Sequence, residues 1–191
     1  MTGWWAVSYI ALWVLVVVLA VVVLALARQV GTLHLRLGPR GALEVDDEGP
    51  ELGEAPGPIA AHDLDGRPTE VGGPGRSRML LFVSPDCPVC REVLPSLPVV
   101  ARQGHLAPSV VVDGAVEEAL AAPHLLGTGA PVVLGERVAE AMDVPGTPYV
   151  VVLDELGVVR AKGTVNNLEQ MEGLVDTAAR RLADAPEERS V

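Results

Sequence analysis

Three hydrophobic patterns divide the chain. From Trp4 to Ala27 it reads WWAVSYIALWVLVVVLAVVVLALA, without a charged position. As a helix this run would be about 36 Å long, against roughly 30 Å of bilayer hydrocarbon. It predicts a transmembrane helix over residues 4–27. Trp4, Trp5 and Tyr9 lie at one end, where amphipathic rings favour the headgroup level. Ala25-Leu26-Ala27 would suit signal cleavage, but signal cores are about 7–15 residues behind a basic segment. This run is longer, and no Lys or Arg precedes it. Residues 28–58 lose the pattern. Gln29 to Leu37 is a short amphiphilic neck, and GPRGALEVDDEGPELGEAPGP (38–58) is rich in Gly, Pro and acid without sustained periodicity. That composition predicts a flexible tether.

The third pattern fills residues 59–185 with short apolar runs and amphipathic stretches, leaving 186–191 as a tail. HDLDGRPTEV predicts a hairpin around Asp65-Gly66. MLLFV (79–83) is a continuous apolar run, suited to a strand buried on both faces. A helix follows over Pro88–Gln103, then a second buried strand at 110–112. A looser Ala/Gly-rich stretch leads to a short helix at Glu136–Met142. A third strand spans Tyr149–Leu153, and Asp154 to Gly157 turn the chain into a return strand, VVRAKG. Asn167 with Gln170 reads as a capping pair for a last helix. Its apolar face would be Leu168, Met171, Leu174, Val175, Ala178 and Leu182. Strands alternating with helices and closed by a hairpin predict an α/β fold, a three-layer sandwich with a partly parallel sheet.

Charge narrows the function. All 25 acidic residues fall after position 40, whereas three of the 14 bases (Arg28, Arg36 and Arg40) flank the membrane segment. An acidic domain without clustered Lys/Arg argues against nucleic-acid binding. The two cysteines, Cys87 and Cys90, stand in SPDCPVCREVLP. A zinc site would need about four ligands, and His34, His62, His105 and His124 show no clip spacing, so no metal and no other cofactor is expected. A purely structural disulfide closing so short a loop would remove little unfolded-state entropy. The redox reading has positive support. Cys87 would begin a helix directly after a buried strand, where the helix terminus stabilises a thiolate. Cys90, one turn in, would resolve a mixed disulfide. Pro88 suits the first turn, which needs no backbone donor. Asp86 either caps that helix or raises the Cys87 pKa by like-charge repulsion.

This arrangement resembles the thioredoxin superfamily, in its membrane-tethered branch. Pro95 stands five residues after Cys90, where thioredoxins kink this helix. Thr147-Pro148 precedes YVVVL, where the family carries a cis-proline loop facing the disulfide. The resemblance implies that Thr147 and Pro148 shape the substrate-binding loop, with Cys87 and Cys90 catalytic. It also departs from the pattern. Leu81 stands where thioredoxin has a buried acid, and Asp86 where it has Trp, so either direction of electron flow stays open.

The anchor, the neck RQVGTLHLRLGPRGAL and SPDCPVCREVLP together resemble the MauD family of methylamine-utilisation accessory proteins. That resemblance implies disulfide formation or isomerisation in an exported, cysteine-containing partner, the small subunit of methylamine dehydrogenase. It further implies a membrane redox partner for recycling. It places the redox domain outside the cytoplasm, where disulfides persist, whereas the flanking arginines point the other way by the positive-inside rule. Two alternatives stand beside this one: a general reductase of the cytochrome-c-maturation type, and a non-enzymatic tethered module that holds apo-subunits.

Overall fold

The computed structural model describes residues 3–36 and 48–184. The first stretch is one helix, α1 (Gly3–Arg36). Its Gly3–Val21 portion is long and apolar enough to cross a membrane, about 28 Å at the helical rise. Ser8 Oγ donates to the Trp4 carbonyl at 2.7 Å, which satisfies a hydroxyl internally, as an apolar surround requires. Tyr9 and Trp13 meet edge to face, with centroids 6.3 Å apart. The helix continues through the stretch read as a neck, because no proline interrupts it before Pro39. The remaining tether residues, 37–47, and the tail lie outside the described residues.

The second unit is built on a seven-stranded sheet: β1 (Ile59–Asp63), β2 (Pro68–Val71), β3 (Arg78–Val83), β4 (Ala107–Val112), β5 (Val132–Leu134), β6 (Tyr149–Leu153) and β7 (Val159–Thr164). The spatial order is β2-β1-β5-β4-β3-β6-β7. β3 pairs parallel with β4 and antiparallel with β6, so it lies inside the sheet. Its alternation explains the uninterrupted apolar run. Met79, Leu81 and Val83 enter one core, Leu80 and Phe82 the other. The first core is covered by α2 (Pro88–Val93), α3 (Leu97–Gln103) and α7 (Leu168–Asp184). The second is covered by α6 (Glu136–Ala141) through Val138. These are the three layers expected.

Several expectations need correction. The helix read as continuous over Pro88–Gln103 breaks into α2, a 3-10 turn at Leu94–Ser96 and α3. Pro95 lacks the N–H an unbroken helix would use. The loose stretch after β4 contains α4 (Val116–Leu120), α5 (Pro123–Leu126) and β5. These elements are too short for periodicity to register. Composition assigned residues 48–58 to the tether, yet they lie against the domain. Gly53 N–H donates to the Val159 carbonyl, Val159 N–H donates to Glu54, and Tyr149 Oη donates to the Glu48 carbonyl. The segment thus takes up backbone groups at the start of the edge strand β7. Gly49 has φ +78°, and a side chain there would run into the Tyr149 ring. In α7 the expected pair, Asn167 with Gln170, does form the cap, and only its return bond is displaced by one residue. Asn167 Oδ1 accepts the Gln170 N–H at 2.9 Å, but Gln170 Oε1 accepts the N–H of Asn166. Leu168 and Leu182, read as core, stay exposed at the two ends of the helix.

Candidate active site

The strand β3 ends at Val83, and Ser84-Pro85-Asp86 carry the chain into α2. Cys87 is the N-cap of α2, in extended conformation, and Pro88 takes the first helical position. The alternative of Asp86 as N-cap is therefore corrected: the capping acceptor is Cys87 Sγ, which receives the Cys90 N–H at 3.1 Å. Proline at the next position has no N–H to give, and the donor that reaches back to the cap is that of Cys90. Asp86 is exposed beside it.

Cys87 and Cys90 are joined as a disulfide, with Cα atoms 5.3 Å apart. The two sulfurs differ in access. Cys90 is fully buried within the first core, whereas Cys87 is half-buried. Only Cys87 can be approached by an outside thiol. The Thr147-Pro148 bond is cis, and the Thr147 carbonyl oxygen lies 4.0 Å from Cys87 Sγ. The fold brings together four of the singled-out residues, Cys87, Cys90, Thr147 and Pro148, from segments 60 residues apart. β6 begins at Tyr149 and pairs with β3 through Phe82 and Tyr149. That register sets the loop before β6 beside the loop after β3. Leu81 is buried under α2, so an apolar side chain stands where thioredoxins have an acid.

The residues that sequence reasoning missed lie on the segment between β4 and β5. Ala119 and Leu125, from α4 and α5, are buried in the same core as Cys90, with Cys87 and Val89 packed against it. This segment also brings His124 next to α2. Burial, and secondarily the Arg91 charge, hold the His124 pKa below its ordinary 6.5. From sequence His124 was one of four scattered histidines, and nothing in its spacing marked it out.

The His124 shift has a consequence for stability. A depressed histidine pKa means that the unfolded chain binds the proton more readily. The contribution is fully present above 6.5 and is lost as pH falls through the folded value. The denaturant midpoint should therefore fall between pH 7 and 5, and His124→Gln should flatten that slope. Urea titrations of both proteins across this range check it, and parallel slopes would refute it.

No protein-family model matches the chain. Among solved structures, the thioredoxin domain of a thiol–disulfide oxidoreductase from Bacteroides vulgatus superposes with a TM-score of 0.54. It is 20% identical, covering 68% of this chain and 96% of that one. The likeness is one of fold, consistent with the sheet order and the helix carrying the cysteines. Sequence similarity reaches further. The methylamine utilization protein MauD of Paracoccus denitrificans is 38% identical over 181 residues, 92% of this chain and 90% of its own length. That of Methylorubrum extorquens is 38% identical over 174 residues, 88% and 84% of the two chains. The match takes in nearly the whole chain, and the chain accordingly belongs to the MauD family.

Proposed function

We propose that the protein is a membrane-anchored thiol–disulfide oxidoreductase that forms or rearranges disulfides in the small subunit of methylamine dehydrogenase. The observation that carries the reading is the asymmetric pair: half-buried Cys87 joined to fully buried Cys90, with the Thr147 carbonyl 4.0 Å from the Cys87 sulfur. In the oxidising direction a substrate thiolate attacks Cys87 Sγ, the Cys87–Cys90 bond breaks, and Cys90 leaves as a thiolate. A second substrate thiolate then attacks the substrate sulfur of this mixed disulfide and releases Cys87. The substrate gains a disulfide, and the protein gains the electron pair and takes up two protons. A membrane redox partner accepts those electrons to restore the pair. Cys90 N–H, already aimed at Cys87 Sγ, would stabilise negative charge on that sulfur. Thr147 and Pro148 would hold the incoming segment in extended form.

The test is Cys87→Ser in the full-length protein. Disulfide formation in the small subunit should fall to its uncatalysed rate, because a hydroxyl cannot take the place of the thiolate. Undiminished formation would overturn the reading and favour a tethered holding module.

The reading further places residues 4–27 in the bilayer and the redox domain outside the cytoplasm, where a disulfide in the partner would persist. A single reporter thiol, Ala55→Cys in a Cys87→Ser/Cys90→Ser background, tests this, since Ala55 is exposed. An impermeant maleimide should label it in intact cells. Protection until lysis would instead follow the rule that Arg28, Arg36 and Arg40 remain inside.

A further inference from the structure

The segment between β4 and β5 and the start of α2 together line an open cavity of about 490 Å³. Its walls are Pro85 and Asp86 before Cys87, Arg91 on α2, Glu118 on α4, and Pro123 and His124 on α5. Arg91 N–H donates to the Cys87 carbonyl, so Arg91 stands one turn after the half-buried cysteine on the same side of the helix. Two of the polar groups here are unspent. His124 Nε2 is buried with no hydrogen-bond partner among the described residues. Arg91 makes no ion pair among them either. The acidic groups are differently placed: Glu118 Oε2 already accepts the Ala115 N–H at 3.3 Å, and Asp86 is exposed at the rim.

A buried nitrogen left without a partner is costly, and a guanidinium is built to grip a carboxylate with two parallel bonds. We propose that this cavity is a docking subsite for the thiol partner, in which Arg91 and His124 together hold a carboxylate side chain near the partner's reacting cysteine. The inference rests on the exchange reading and adds a preference to it. Because burial and the Arg91 charge keep His124 neutral at neutral pH, the cavity's cation there is Arg91, and the imidazole contributes an N–H. One helical turn, about 5.4 Å, separates Cys87 from Arg91 along the axis. An extended partner advances about 3.3 Å per residue, so the carboxylate belongs about two residues from the partner's cysteine.

The experiment uses the full-length protein in detergent and a set of short thiol peptides. Each carries Asp, Asn or Lys two residues before or two residues after its single cysteine, and initial exchange rates with the oxidised protein are measured at low salt. The Asp peptide of one of the two placements should exceed its Asn counterpart about tenfold in kcat/KM, mainly through KM, a size expected of one charge-assisted contact. The Lys peptide should be the poorest. Arg91→Gln should bring the Asp/Asn ratio near one, and His124→Gln should lower it in part. Arg91 is also close enough to influence the Cys87 thiolate itself, but that effect would slow all peptides alike, so the ratio isolates docking. Exchange without discrimination, or discrimination that survives Arg91→Gln, would overturn the subsite while leaving the exchange reading intact. Exchange with none of the peptides would overturn both.

Discussion

Where Cys87 has attacked a partner disulfide, Cys90→Ser is expected to convert the transient mixed disulfide into a stable one. The chain has two cysteines. Once a partner sulfur is joined to Cys87, Cys90 is therefore the one thiol in the molecule able to attack that bond from within. It is positioned to do so, with its Cα 5.3 Å from that of Cys87. Serine removes the attacker while leaving the Cys90 backbone N–H, the Thr147-Pro148 loop and the half-buried Cys87 in place. The adduct should accumulate in cells growing on methylamine and survive non-reducing electrophoresis. Mass spectrometry of the band then names the partner. The methylamine dehydrogenase small subunit is the expected product. Apocytochromes would move the assignment to a cytochrome-maturation reductase. Absence of any adduct, with the variant present and folded, would remove the rearranging direction, in which Cys90 resolves the bond. Since Cys90 is fully buried, Cys90→Ala serves as a second variant should the hydroxyl disturb the core.

The largest effect on stability is expected at the opposite end of β6. Asp154 is 6% exposed, and each of its carboxylate oxygens is engaged. Oδ1 accepts the N–H groups of Leu156 and Val158 at 2.8 and 2.9 Å. Oδ2 accepts both Nε and Nη2 of Arg160 at 2.8 Å. The carboxylate thus organises the β6–β7 turn and neutralises a guanidinium that is 19% exposed. Removing one member of a buried pair strands the other, at about 3–5 kcal/mol. Partial exposure of Arg160 puts Asp154→Ala near the lower end, about 3 kcal/mol, which corresponds to a fall in Tm of about 10 °C for a domain of this size. Asp154→Asn keeps an acceptor for the turn but loses the charge, and should cost about half as much. β6 separates this turn from Thr147-Pro148 by roughly 17 Å, so exchange activity below the melting point should be retained. A loss under about 1 kcal/mol on denaturant titration would show that the pair is not a stability determinant.

Much of this molecule was legible before any coordinates. The apolar run from Trp4, the strand at 79–83 and the cysteine-bearing helix after it follow from rules that act over a few residues. Such rules cover chain length against bilayer thickness, continuous burial, and proline at a first helical turn. Cys87 and Cys90 were legible for the same reason, since their chemistry depends on a three-residue separation within one element. Pro148 could be picked out only because it stands just before an evident core strand.

Other features had no local cause. Residues 48–56 have the composition of a tether, yet their hydrogen bonds go to Tyr149, Val159 and Gly73, partners distant in sequence. The elements α4, α5 and β5 span five, four and three residues. They owe their order to Ala119, Leu125 and Val133 reaching cores assembled from elsewhere. The meeting of Arg91 with His124 beside α2 likewise arises where separate segments converge. Periodicity reports which face of an element is buried. It says nothing of what that face meets, so the cavity next to the disulfide was decided only when the sheet brought those segments together.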